Sequence, residues 1–182
     1  MLLQALYAWS GNMKKNVVVL VIAVLIFFFF PPLFPVISFT ETRTNDPHMY
    51  YVNMGKDQTF QIRFTHSIHR TDVLETYEAT DGKIKMISME YEDVAIGMPA
   101  HAEEGEKLTY EDGKYKLYTN KIVENFVLYV GDINMDLYLN YGGKEYNLKK
   151  TLQRGSSYVI EVKKVSFYEK LKGVRLAYEY DY

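Results

Sequence analysis

The chain has no cysteine in its 182 residues, which removes a disulfide framework, a thiolate-ligated metal and a lipidated cysteine behind a leader. Packing and hydrogen bonding must hold the fold. An excess of positive charge is missing too: 21 basic residues stand against 23 acidic ones, and no basic patch is present that would replace the counterions of a nucleic acid. A nucleic-acid partner is therefore not expected. The Gly-x-Ser-x-Gly elbow of a hydrolase is absent, as is the His-Glu-x-x-His pair of a zinc protease. Internal repeats and low-complexity tracts are also lacking, and no cofactor is implied.

One long hydrophobic run is present. Val17 to Phe30 is apolar throughout and follows Met13-Lys14-Lys15, the order of a secretory signal or signal-anchor. No Ala-x-Ala-like cleavage site follows. The apolar character continues through Pro31-Pro32-Leu33-Phe34-Pro35-Val36-Ile37 to Phe39, close to the ~20 residues needed to span a bilayer. The expectation is a cytoplasmic start and a retained transmembrane signal-anchor over 1–39, a tether over 40–49 and an extracytoplasmic domain over 50–182. Lys14 and Lys15 hold the short N-terminal side in the cytoplasm.

Beyond the anchor, short alternating segments are separated by turn signals. Asp81-Gly82, Asp112-Gly113 and Gly142-Gly143 each mark a tight hairpin. The pattern predicts about nine strands, with Phe167 to Lys172 as the one helical turn and Val174 to Tyr180 as the last strand. The fold class is all-β, an antiparallel β-sandwich or open barrel behind the N-terminal helix. Seventeen tyrosines suit half-buried strand positions, where the ring packs and the hydroxyl stays wet.

The most informative stretch is Phe60 to Ala79. Phe60, Ile62, Phe64, His66 and Ile68 alternate with polar residues, and Val73, Glu75, Tyr77 and Ala79 form a matching row. With His69-Arg70-Thr71-Asp72 as the loop, Ile68 faces Val73, Phe64 faces Tyr77, His66 faces Glu75 and Arg63 faces Glu78. An imidazole and a carboxylate then meet in an apolar row, as a pair that fixes register or orients a ligand. Ser67 points to the opposite face from His66, so the two form no nucleophile and base. No catalytic residue is assigned.

Glu92 to Lys107 breaks the alternation with Asp93, Gly97, Met98-Pro99 and Gly105, a long loop of the kind that carries binding on β scaffolds. Folded over the hairpin, it brings His101 and Asp93 towards His66 and Glu75. That set is the basis of one alternative, a metal-binding protein or metal-dependent enzyme using His66, Glu75 and His101. Another is a structural envelope protein with a tyrosine-rich contact face.

Thr65-His66-Ser67-Ile68, then Glu75-Thr76-Tyr77, Tyr91, Gly97-Met98-Pro99 and Asp112-Gly113-Lys114-Tyr115 resemble the DUF1850 family, small extracytoplasmic proteins of unknown function. The resemblance runs approximately from Tyr50 to Val162, although Ala95-Ile96-Gly97-Met98-Pro99 keeps a single glycine where the family is more glycine-rich. It implies an association with a TAXI-type TRAP solute transporter, so that the anchored domain is expected to be an accessory with the permease or the solute-binding protein as partner. His66, Ser67, Glu75, Tyr77, Gly97 and Pro99 are the candidate ligand or partner contacts; the small-molecule ligand itself is unknown.

Overall fold

The computed structural model describes residues 2–94 and 97–178, with side chains from Lys14 onward. Helix α1 (Leu2–Phe29) comes first and stops where Pro31 and Pro32 cannot continue its hydrogen bonding. Its flank from Val17 to Phe28 is largely exposed and apolar. Counted over the described residues, no helix is long and apolar enough to cross a membrane.

Strand β1 (Phe34–Glu41) follows after only four residues, so the apolar run divides instead of continuing the anchor to Phe39. β1 lies between β2 (Met49–Asn53) and β12 (Ser156–Val165), antiparallel to both. Val36, Ile37, Ser38 and Phe39 are all buried, because both faces of this central strand are covered. A doubly covered strand reads as a continuous hydrophobic run, as a membrane segment does. The expected tether over 40–49 is likewise part of the domain. Thr40 and Glu41 complete β1, Thr42 Oγ1 donates to the Ser157 carbonyl at 3.0 Å, and the Glu41 N–H donates to the His48 carbonyl at 3.1 Å.

Two sheets are formed. β9 (Phe126–Val130) joins β12, and β13 (Val174–Arg175) pairs parallel with β2, giving the order β13-β2-β1-β12-β9. The expected strand from Val174 is thus two residues long, and Tyr180 lies outside the described residues. The second sheet contains β3 (Thr59–Thr65), β4 (Asp72–Thr80), β5 (Lys83–Tyr91), β6 (Lys107–Glu111), β7 (Lys114–Tyr118), β10 (Leu137–Tyr141) and β11 (Lys144–Asn147). Its order is β11-β10-β3-β4-β5-β7-β6, with the two-residue β8 (Ile122–Val123) also on β5. All three expected hairpin turns are present, with both turn residues at positive φ (50° and 76° at Asp81-Gly82), the geometry of a type I′ turn.

Ile37, Phe39, Tyr158 and Ile160 of the first sheet share one buried cluster with Phe60, Ile62, Tyr77 and Leu139 of the second. That is a β-sandwich, not a closed barrel. On the outer face of the first sheet, Val36, Tyr51 and Val165 make a smaller cluster with Phe34 and Met49. Two short helices complete the fold, α2 (Leu148–Thr151) and α3 (Phe167–Lys172), the latter at the helical turn expected from the sequence.

Candidate functional site

The β3–β4 hairpin carries the residues singled out in the sequence, but its register differs by four. Phe64 pairs with Val73, Ile62 with Glu75 and Phe60 with Tyr77. A slip of four leaves every side chain on its expected face, since the strand period is two. Only the partners change. Arg63 does not select Glu78 either: it lies 3.0 Å from Glu145, 3.4 Å from Asp72 and 3.6 Å from Asp136, while Glu78 reaches Lys85 at 3.7 Å.

The strands part at Thr65 and Asp72, leaving His66 to Thr71 as a six-residue tip. The His66 N–H donates to the Thr71 carbonyl at 2.8 Å, and the Arg70 N–H donates back to the His66 carbonyl at 2.9 Å. Arg70 takes a left-handed conformation, φ 57°, to close this α-turn. Thr65 Oγ1 donates to Asp72 Oδ1 at 3.2 Å and fixes the base of the tip. His66 is therefore not opposite Glu75; at about 3.4 Å per residue, it sits roughly 14 Å further along than Ile62, Glu75's partner. Ser67, Ile68, His69 and Arg70 are exposed. The His66 and His69 rings lie 6.0 Å apart, and His69 Nδ1 is 3.5 Å from Asp93 Oδ2.

Glu75 takes a different partner. The Tyr77 hydroxyl donates to Glu75 Oε2 at 2.6 Å, although alternate strand residues are two apart on one face and usually do not bond. The Tyr77 ring is stacked between Phe60, at 5.3 Å, and Phe126, at 4.9 Å, which aims its hydroxyl along β4 towards Glu75. Burial raises the Glu75 carboxyl above its ordinary 4.5, against the opposing pull of the Tyr77 hydrogen bond. Burial, the Glu75 charge and their hydrogen bond all raise the Tyr77 phenol well above its ordinary 10. The result is a carboxyl with reduced acidity, held by a phenol that stays protonated.

Strand β5 extends this face. Glu75 pairs with Met89 and Tyr77 with Met86, so β5 carries an extra residue between them. This β-bulge moves the inward row from Ile84 and Met86 to Met89 and Tyr91. It explains why both faces of Lys83 to Tyr91 look mixed under a strict period of two. Leu117 lies opposite Met89 and Tyr115 opposite Tyr91, with the two tyrosine rings stacked at 5.5 Å.

The 92–106 loop borders the same end of the sheet. The buried Tyr91 hydroxyl donates a short hydrogen bond to the Pro99 carbonyl. His69 meets Asp93 at the start of the loop, and Lys121 holds Glu103 and Glu106, both at 3.0 Å, near its end. Gly97 is exposed at φ 91°; Ala95 and Ile96 lie outside the described residues. His101 is exposed. Among the described residues no group of three or more histidine, aspartate or glutamate side chains is gathered to hold a metal. The His66, Glu75 and His101 set is therefore not assembled, for the reason already given: His66 belongs to the tip and not to the strand.

The structure thus joins Glu75 to Tyr77, joins Pro99 to Tyr91, and leaves His66 and Ser67 on the neighbouring tip. Sequence reasoning missed the Tyr77 bond, the Phe126 stack and the His69–Asp93 contact. The mixed faces of Lys83 to Tyr91 were the available signal for the bulge. A groove of about 750 Å³ at the other end of β3, lined by Asp57, Gln61, Asn140, Lys144 and Tyr178 among others, was also missed. Its signal was the Gly142-Gly143 turn that forms one rim.

The family model for DUF1850, a domain of unknown function, matches residues 60–148. That span is the second sheet almost in full, from β3 through β11, and it holds the hairpin, its tip and the 92–106 loop. The chain is a DUF1850 protein over that span. No curated protein and no solved structure matches it.

Proposed function

We propose that the protein is a membrane-anchored extracytoplasmic binding module, an accessory of a TAXI-type TRAP solute transporter. In this reading α1 is the anchor, Lys14 and Lys15 keep its start in the cytoplasm, and the β-sandwich stands outside. The transporter enters through the family resemblance; the binding role is supported by the structure's convergence of scattered motif residues. Thr65 to Ile68, Tyr91 and Pro99 come to one end of the second sheet, tied by Tyr91–Pro99 and bordered by His69–Asp93, while Glu75 and its partner Tyr77 lie further down β4 towards the base of the hairpin. That convergence is the observation that carries the proposal.

The division of labour follows from burial. Glu75 and Tyr77 stiffen the sheet beneath, since a satisfied polar pair inside an apolar row specifies one arrangement. The exposed tip, with Ser67 and the neighbouring His66, makes the contact, and the loop around Gly97 and Pro99 forms its other wall. Loops held on rigid strands are where recognition residues concentrate.

The test is quantitative co-purification of the full chain from native membranes, wild type beside His66→Ala and Ser67→Tyr, with folding checked by melting temperature. Recovery of a TRAP permease or solute-binding protein, reduced severalfold by tip variants that melt normally, is the expected result. Equal recovery from all three forms moves the contact away from the tip. Recovery of no transporter component by wild type overturns the accessory role.

A further inference from the structure

Helix α3 is built in an unusual way for a piece of a soluble surface. Ser166 and Glu169 form a capping box, with Ser166 Oγ accepting from the Glu169 N–H at 3.1 Å and Glu169 Oε2 accepting from the Ser166 N–H at 2.7 Å. The helix is fastened to the outer face of the first sheet by its polar side, where the Tyr51 hydroxyl donates to the Lys170 carbonyl at 3.3 Å and Lys170 Nζ lies 4.5 Å from the Phe34 ring. Its apolar side is left outward. Phe167, Tyr168 and Leu171 are 42%, 37% and 63% exposed, the reverse of the usual amphipathic arrangement.

That outward side is continuous with the end of α1. The Phe29 ring lies 5.3 Å from Phe167, and the Phe30 ring lies 5.6 Å from Tyr168. Phe30 and Leu33 are themselves 55% and 56% exposed. Only Phe30 to Leu33 separate α1 from β1, and four residues reach at most about 14 Å. If α1 enters a bilayer up to its last turn, α3 can only be at the lipid headgroups.

The charge around α3 suits that position. Residues 161–172 carry four lysines against two glutamates, and both glutamates are occupied: Glu161 by Lys163 at 2.5 Å, and Glu169 within the cap. Lys164, Lys170 and Lys172 remain. Aromatic rings with lysines at one level are the composition of a membrane–water interface, and each basic residue near an anionic surface adds about 1 kcal/mol of attraction.

We infer that the Phe167-Tyr168-Leu171 face of α3, with Phe30 and Leu33, lies on the surface of a bilayer containing anionic lipid. The domain is then held at two places, α1 in the membrane and α3 on it. Because α3 covers the outer face of the first sheet, the second sheet becomes the layer farther from lipid, with its hairpin tip open to a partner. The inference rests on the proposed role of α1 as an anchor, and the two are separable by experiment.

The absence of cysteine makes that experiment direct. Single-cysteine variants Leu171→Cys, Val21→Cys and Tyr110→Cys of the full chain are spin-labelled and reconstituted in phosphatidylcholine vesicles with and without phosphatidylglycerol. Collision with a water-soluble nickel chelate is then compared with collision with oxygen. The expected result is a label at 171 shielded from the chelate severalfold more than the label at 110, with the shielding weakened by removing phosphatidylglycerol or by Lys170→Glu with Lys172→Glu. A label at 171 as accessible as that at 110, with the label at 21 shielded, overturns the inference and leaves the anchor standing. A label at 21 as accessible as that at 110 overturns the anchor.

Discussion

The two ends of the β3–β4 hairpin are made from the same alternating pattern and behave in opposite ways. At the base, Phe60 and Tyr77 are paired, stacked and buried, and Phe126 closes the other face of the Tyr77 ring. At the tip, Thr65 ends the ladder although His66 and Ile68 continue the period of two, and both leave the strand. The difference is what lies across the sheet. The base has the first sheet to pack against, and the tip has the 92–106 loop and solvent. Alternation therefore predicts which way a side chain points while the strand lasts, but not how far the strand lasts.

The largest expected break in this comparison is at the base. Tyr77→Ala removes a ring held between two others and the hydroxyl that donates to the Glu75 carboxyl, and truncation of a buried aromatic costs about 3–5 kcal/mol. Chemical denaturation should show a lower midpoint with little change in slope. Tyr77→Phe keeps the stack and deletes the hydrogen bond, at about 1–3 kcal/mol for a buried polar partner left unmet. If the two variants are equally destabilised, the hydroxyl and not the stack holds the base.

Glu75 gives the comparison a pH axis. Its carboxyl is raised above 4.5 in the folded chain by burial, so folding favours the protonated form. This contribution is fully present below about pH 4.5 and is lost as pH rises through the folded value. Glu75→Gln cannot titrate. The melting temperature of the variant minus that of wild type should therefore rise between pH 4 and pH 8, since the variant escapes the loss. A difference that is flat with pH contradicts the burial of the carboxyl.

Next in size is the tie on the loop. Tyr91→Phe keeps the ring stacked on Tyr115 and removes its bond to the Pro99 carbonyl, worth about 0.5–1.5 kcal/mol. Amide exchange should quicken in the 92–106 loop more than in β3 or β4. Uniform quickening would mean that the loop supports the sheet and not the reverse.

What the sequence made legible follows the same division. The three Asp-Gly and Gly-Gly turns, the sandwich class, the buried faces of β3 and β4 and the helical turn at Phe167 are local matters, decided by residues close together in the chain. The failures need a third element. Pro35 to Phe39 reads as membrane because both faces of β1 are covered, one by the second sheet and one beside α3. The bulge in β5 shifts an inward row in mid-strand, and the Arg63–Glu78 pairing failed because Asp136, just before β10, and Glu145 of β11 stand beside Arg63 instead. The Glu75–Tyr77 bond was hidden for a related reason: Phe126, nearly fifty residues on, turns the phenol along its own strand.

The smallest expected effect is also the one that separates the tip from the base most cleanly. If His66 faced Glu75, His66→Ala would strand a carboxyl, and His66→Ala with Glu75→Gln would show a coupling of 1 kcal/mol or more, as contacting residues do. The register instead puts Ile62 opposite Glu75 and sets His66, just past the end of β3, about 14 Å from that position, with the His66 backbone bonded to Thr71 and Arg70. Those backbone bonds survive truncation to alanine. The double-mutant cycle should therefore close to within about 0.5 kcal/mol. A larger coupling would bring the tip back onto the sheet, and Glu75 would then be part of the exposed recognition surface and not of the frame beneath it.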